Sequence, residues 1–277
     1  MNYYCLIAGL PDIQAEDTKT NVSLANLKTE LNEQLAPADK QLLALIFARY
    51  DNTNLLAYLN NRDAELNSLG NLTADDWTEL TAFIQETETP ADSRLQPYLH
   101  QFFKAINSDK FSQENSSRED YLAALYYGQA LQSKNKFIHD WFEFNLNINN
   151  ILTGVACRKH GFDVKSLVVG SNEVAVAVRQ SNARDFGLTG TFAELDTILK
   201  IAEEQNLLER EKKIDALKWQ WLEDKTFFHY FSVERILAFV LKVQMIERWK
   251  LLSVENGSRI FRALLAGMKE GVKFTAI

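Results

Sequence analysis

From Tyr98 to the end of the chain, 180 residues run without a proline; the four present are Pro11, Pro37, Pro90 and Pro97. Proline fixes φ and removes an N–H that an interior helical position must donate, so its absence leaves room for long helices. The most apolar stretch lies in this region. From Ile236 to Ile246 only Lys242 and Gln244 are polar, so a helix here has almost no solvent face and belongs in the middle of a fold, with Ser232 as its N-cap. The next segment, Glu255 to Gly271, reads as a further helix with Arg259, Arg262 and Lys269 spaced along it.

Earlier segments follow the same helical period. Tyr3 to Leu10 is an apolar strand or short helix stopped by Pro11-Asp12. Val22, Leu24, Leu27 and Leu31 share one helical face, and Pro37 opens a second helix from its first turn. Asp51-Asn52-Thr53-Asn54 predicts a break in that second helix, with Leu55 to Leu59 as a separate short piece. Between Asp63 and Asp92 there are eight acids and no Lys or Arg, which reads as a solvated face, with Thr73 as an N-cap and Asp75 and Asp76 complementing the helix dipole. The polar run Ser108 to Asp120 reads as an exposed loop.

Two stretches are ambiguous in period. Phe142, Phe144, Leu146 and Ile148 alternate as in a strand, but Phe137, Trp141, Phe144, Ile148, Ile151 and Val155 recur every three or four residues, so helix is preferred. Val174-Ala175-Val176-Ala177-Val178 alternates and is β-branched, which keeps a strand open there. Thr191-Phe192-Ala193-Glu194 is a capping box for the helix carrying Leu195, Ile198 and Leu199, and Asn206 to Glu223 is helical and mixed in charge.

Composition excludes several functions. A net charge of −7 with mixed signs argues against general nucleic-acid binding. Cys5 and Cys157 lie far apart and Met1-Asn2-Tyr3-Tyr4 lacks a signal-peptide pattern, so reduced cytoplasmic thiols are expected. No window approaches the roughly 20 apolar residues that a spanning helix needs, which makes any membrane role peripheral. Phosphate-loop and dinucleotide glycine patterns are absent. Cys157 and His160 form a Cys-x-x-His half-site, but a structural zinc needs four ligands and only Cys5, His100, His139 and His229 remain to complete it. No catalytic residue, metal or cofactor is therefore expected. Cys157 reads as a small core residue and His160 as a helix-terminal residue before Gly161; a Cys/His nucleophilic pair is the rival. Trp141, Phe142 and Phe144, with Phe227, Phe228, Tyr230 and Phe231, line either a cleft or, preferentially, a core.

Glu255-Asn256, Arg259-Ile260 and Gly267-Met268-Lys269-Glu270-Gly271 resemble the closing helix of the C-type (also d-type) central-stalk subunits of V-type and archaeal rotary ATPases. Here Met268 intervenes between the glycine and the lysine of that pattern. Glu143-Phe144-Asn145-Leu146 leading to Arg158-Lys159-His160-Gly161 is a second similar passage. Ala156 to Gly161 and Ala266 to Gly271 share Ala-x-x-Lys-x-Gly, which suits a family built from related lobes. The resemblance covers Phe137 to the C-terminus by motif and the earlier chain by helical character alone.

The resemblance implies a mainly α, funnel-like assembly of about three related helical lobes, drawn here at 1–115, 116–190 and 191–277. It implies a non-catalytic central-stalk subunit on the cytoplasmic face of the inner membrane, whose partners are the rotor-shaft subunits and the proteolipid ring. Arg259, Arg262 and Lys269 are its candidate partner contacts. From Leu207 onward thirteen Lys or Arg stand against nine Asp or Glu, opposite to the acidic first third, as a protein with two different partners would have. An all-helical scaffold or regulatory module unrelated to rotary ATPases is the alternative.

Overall fold

A computed structural model of the chain describes residues 2–15, 22–86, 94–106 and 117–251. Among the described residues there are twelve helices and no strand, so the fold is mainly α. The chain forms two compact units, one of residues 1–40 with 215–277 and one of residues 41–214.

The first unit contains α1 (Tyr4–Ala8), α2 (Leu24–Gln34) and α12 (Val233–Leu251). Of the described side chains of α12 only Arg235 is exposed, as the apolar run from Ile236 to Ile246 requires. Helix α2 packs on α12. Ser23, at the N-cap of α2, makes no side-chain cap bond; Glu247 of α12 instead accepts from the Leu24 N–H at 2.8 Å, so an acid from another helix meets the positive end of the α2 dipole. The N-terminal stretch is a helix rather than a strand. Its Tyr3 hydroxyl donates to Asp39 and accepts from the Ala36 N–H, while the Tyr3 N–H donates to the Phe231 carbonyl at 2.7 Å.

The second unit starts in α3 (Pro37–Asn60), which runs through the predicted break at Asp51 to Asn54. Asp51 and Asn54 are buried, and their side chains bond to the chain at residues 67–72 rather than to their own backbone. That removes the local competition by which Asp and Asn usually end a helix. Next come α4 (Ala74–Glu86), α5 (Pro97–Ile106) and α6 (Arg118–Ala130). Thr73 and Asp76 cap α4 reciprocally, and Arg94 pairs with Asp76 and Glu79 at 2.9 and 2.8 Å on the acidic face. Of the polar run Ser108 to Asp120, residues through 116 lie outside the described residues; Ser117 caps α6.

The long helix α7 (Lys136–His160) settles the first ambiguity in favour of helix. Asn135 caps its start, and Gly161, at φ 72°, ends it with the Phe162 N–H donating back to the Cys157 carbonyl. Beyond lie α8 (Val164–Leu167), α9 (Glu173–Gln180), α10 (Leu195–Ala202) and α11 (Leu207–Thr226), of which the part from Asp215 belongs to the first unit. The alternating Val174 to Val178 is helical, not extended: Asn172 caps α9 and Val174, Ala175 and Val178 form its buried stripe. The capping box at Thr191 does not form as expected. Helix α10 begins at Leu195 with no side-chain cap; the Thr191 and Phe192 N–H groups instead donate to the Leu188 carbonyl while Phe192 packs against Phe144.

Candidate functional site

The predicted contacts Arg259, Arg262 and Lys269 lie outside the described residues. Cys157 is buried, and burial, helped by the nearby Asp163 charge, pushes its thiol pKa up, which is the opposite of nucleophile activation. His160 is exposed and stacks on Phe162 with ring centroids 5.8 Å apart. Arg158, the first of the basic pair in the second motif, is committed locally: it donates to the carbonyls of Ser181 and Ala183 and lies 3.7 Å over the Phe186 ring. Among the described residues no three His, Cys, Asp or Glu side chains are grouped to hold a metal.

The aromatic set divides. Trp141, Phe142 and Phe144 are core residues of the second unit. Phe227, Phe228, Tyr230 and Phe231 are not: they lie in the turn between α11 and α12 and are 65%, 79%, 62% and 43% exposed, which overturns the core expectation for them. The reason is geometric. Four rings in five residues point in too many directions for one buried face, and the helix ends at Thr226 and Val233 leave them no helix to share. The run Phe-Phe-His-Tyr-Phe between the mixed-charge stretch and the apolar one is visible in the sequence, but it does not say whether anything covers the rings.

The turn is anchored at both ends. Thr226, buried, donates to the Leu222 carbonyl at 2.7 Å, and the His229 N–H donates to the Thr226 carbonyl. His229 Nδ1 lies 3.0 Å from the Ser232 hydroxyl, which donates to Glu234. Phe231 takes the Tyr3 N–H on its carbonyl and packs against the Tyr4 ring at 4.5 Å. Phe227 and Phe228 meet edge to face at 4.8 Å. With Tyr4, itself 54% exposed, five large rings are left largely in water, an uncommon concentration of exposed apolar side chains.

Beside the rings is an open cleft of about 450 Å³, lined by Asp12, Ile13, Glu223, His229, Tyr230, Arg235 and Lys242. Lys242 donates to Glu223 at 3.1 Å and its ammonium sits 4.5 Å over the Trp219 ring. Burial depresses the Lys242 pKa more than Glu223 raises it. Burial is also the largest single influence on Glu223 and pushes its pKa up, but Lys242, Trp219 and Arg235 together hold it below the ordinary value. The Arg235 guanidinium makes no hydrogen bond or ion pair among the described residues, though its charge acts on both Glu223 and Lys242.

A family model described as a protein of unknown function (DUF2764) matches residues 1–272. The chain belongs to the DUF2764 family. No curated protein and no solved structure matches it significantly. The DUF2764 match takes in both units, the aromatic turn and its cleft, and the basic residues Arg259, Arg262 and Lys269.

Proposed function

We propose that this DUF2764 protein is a non-catalytic central-stalk subunit of a V-type rotary ATPase, joining the rotor shaft to the membrane proteolipid ring during ion transport. The aromatic turn carries the reading, because a fixed ledge of exposed rings suits a protein that works by docking. The likeness of Glu255 to Gly271 to the closing helix of the C-type stalk subunits supplies the identity of the partners. Two further features support it: an all-helical fold, and no described helix long and apolar enough to cross a membrane, which fits a protein that meets the ring from outside the bilayer. Arg259, Arg262 and Lys269 remain its candidate contacts.

Co-expression with central-stalk and proteolipid proteins, followed by size-exclusion chromatography at low and moderate salt, tests the proposal. Co-elution with the shaft is expected. It should weaken as salt rises if charge guides docking, and it should be lost when Phe228 and Tyr230 are both changed to Ser. Separate elution, with stalk proteins that still bind one another, would overturn the connector role and leave an all-helical binding module unrelated to rotary ATPases.

A further inference from the structure

The ledge and the cleft adjoin within one unit, and their chemistries differ. Tyr230 belongs to both, so a ligand that covers the rings reaches the cleft without a gap. On the ledge the main interaction on offer is burial of apolar ring surface, with the hydroxyls of Tyr4 and Tyr230 at its polar edge. In the cleft the charged side chains are Asp12, Glu223, Arg235 and Lys242. Glu223 is already held by Lys242 and by the Trp219 N–H at 2.9 Å. Lys242 is occupied by Glu223 and Trp219. Arg235 is left as the exposed member of an otherwise covered helix; its charge acts on Glu223, but among the described residues its guanidinium donors make no hydrogen bond. A guanidinium beside aromatic rings is the composition found at the energetic centre of protein interfaces.

Building on the turn as a docking surface, we propose that ledge and cleft form one two-part site for a partner-protein segment carrying an acidic side chain next to apolar ones. The apolar residues cover Phe227, Phe228 and Tyr230, and the carboxylate accepts from Arg235, with Lys242 behind it. Charge decides between a protein and a lipid surface. Glu223, Asp224 and Glu234 flank the rings against Lys225 and Arg235, so the turn lacks the basic excess that draws a protein surface to an anionic bilayer. A single carboxylate placed at Arg235 meets donors instead.

Selection from a random peptide library displayed on phage, against the immobilised full chain, tests this without any rotary ATPase component. The chemistry of the site and the connector role can therefore fail independently. The expected peptides carry Asp or Glu beside aliphatic or aromatic residues. Replacing that acid by its amide, or making Arg235→Glu in the protein, should weaken binding about fivefold, as a partly exposed ion pair allows. Phe228→Ser with Tyr230→Ser should weaken it at least about tenfold. These side chains are exposed, and unchanged circular dichroism confirms that the variants fold. Peptides without an acid, binding indifferent to Arg235 or to the rings, or no binder at all would overturn the proposal. So would adsorption of the chain through these rings to phosphatidylcholine and phosphatidylglycerol vesicles without peptide binding.

Discussion

Asp51 illustrates how one side chain can replace a segment of secondary structure. It is 1% exposed, and its carboxylate accepts from the Asn71 N–H and side-chain amide, both at 2.6 Å, and from the Leu72 N–H at 3.1 Å. A buried charge is tolerable only when its lone pairs are satisfied, and here backbone and amide donors satisfy them. Three positions further on, Asn54 donates to the Asn67 carbonyl at 2.9 Å and accepts from its N–H at 2.7 Å. Gly70 lies between them: a Cβ there would stand 2.7 Å from Asn54 Nδ2 and 2.8 Å from Asp51 Oδ1. Asp51→Ala strands these donors in a buried site and should cost about 3 kcal/mol of stability, measured by urea unfolding. A loss below about 1 kcal/mol would show that water replaces the carboxylate.

Among the elements, α7 makes the same exchange on a larger scale. Asparagine is a poor mid-helix residue, yet Asn150 holds both the N–H and the carbonyl of Val169, at 3.0 and 2.8 Å, and Asn147 accepts from Asn172 at 2.7 Å. These bonds fix the chain between α8 and α9, so α9 can return against α7. Closest approach is at Gly154, where a Cβ would lie 2.5 Å from Val178 Cγ1 and 2.9 Å from Phe186 Cζ. Phe186 is itself held at φ 54°, between that glycine and the Arg158 guanidinium. Gly154→Ala should therefore lower the melting temperature, its overpacking cost of about 1–3 kcal/mol outweighing the roughly 1 kcal/mol that alanine adds to helix propensity. Adding Val178→Ala should recover part of the loss if contact with Val178 is the cause.

At the scale of the molecule, the second unit is built around tyrosines and a phenylalanine from three helices. Tyr98 of α5 donates to Asn52, Tyr126 of α6 donates to the Leu45 carbonyl at 2.8 Å, and Phe142 of α7 meets Tyr126 edge-on at 5.3 Å. Burial raises the pKa values of Tyr98, Tyr126 and Tyr127 above the ordinary value of 10.0. The folded chain thus keeps protons that the unfolded chain releases above about pH 10, so these groups contribute stability that is complete below that pH and lost as it rises further. Unfolding at alkaline pH should release tyrosinate absorbance in one step with loss of helix, and Tyr126→Phe should make the fall in stability with pH shallower. Gradual titration of all the tyrosines while the helices persist would contradict this account.

Period and breakers alone determined the mainly α class, the start of a helix at Pro37, the end of α7 at Gly161 and the nearly solvent-free α12. Each depends on interactions within a few residues, which the chain carries with it. The continuation of α3 through Asp51, the helix at Val174 and the late start of α10 depend on partners well separated in sequence, such as Asn71, Gly154 and Phe144. Exposure of Phe227, Phe228, Tyr230 and Phe231 was likewise decided by tertiary structure. Hydrophobicity favours burying a ring, but only the packing of α11 and α12 determines whether a turn has anything to bury it against.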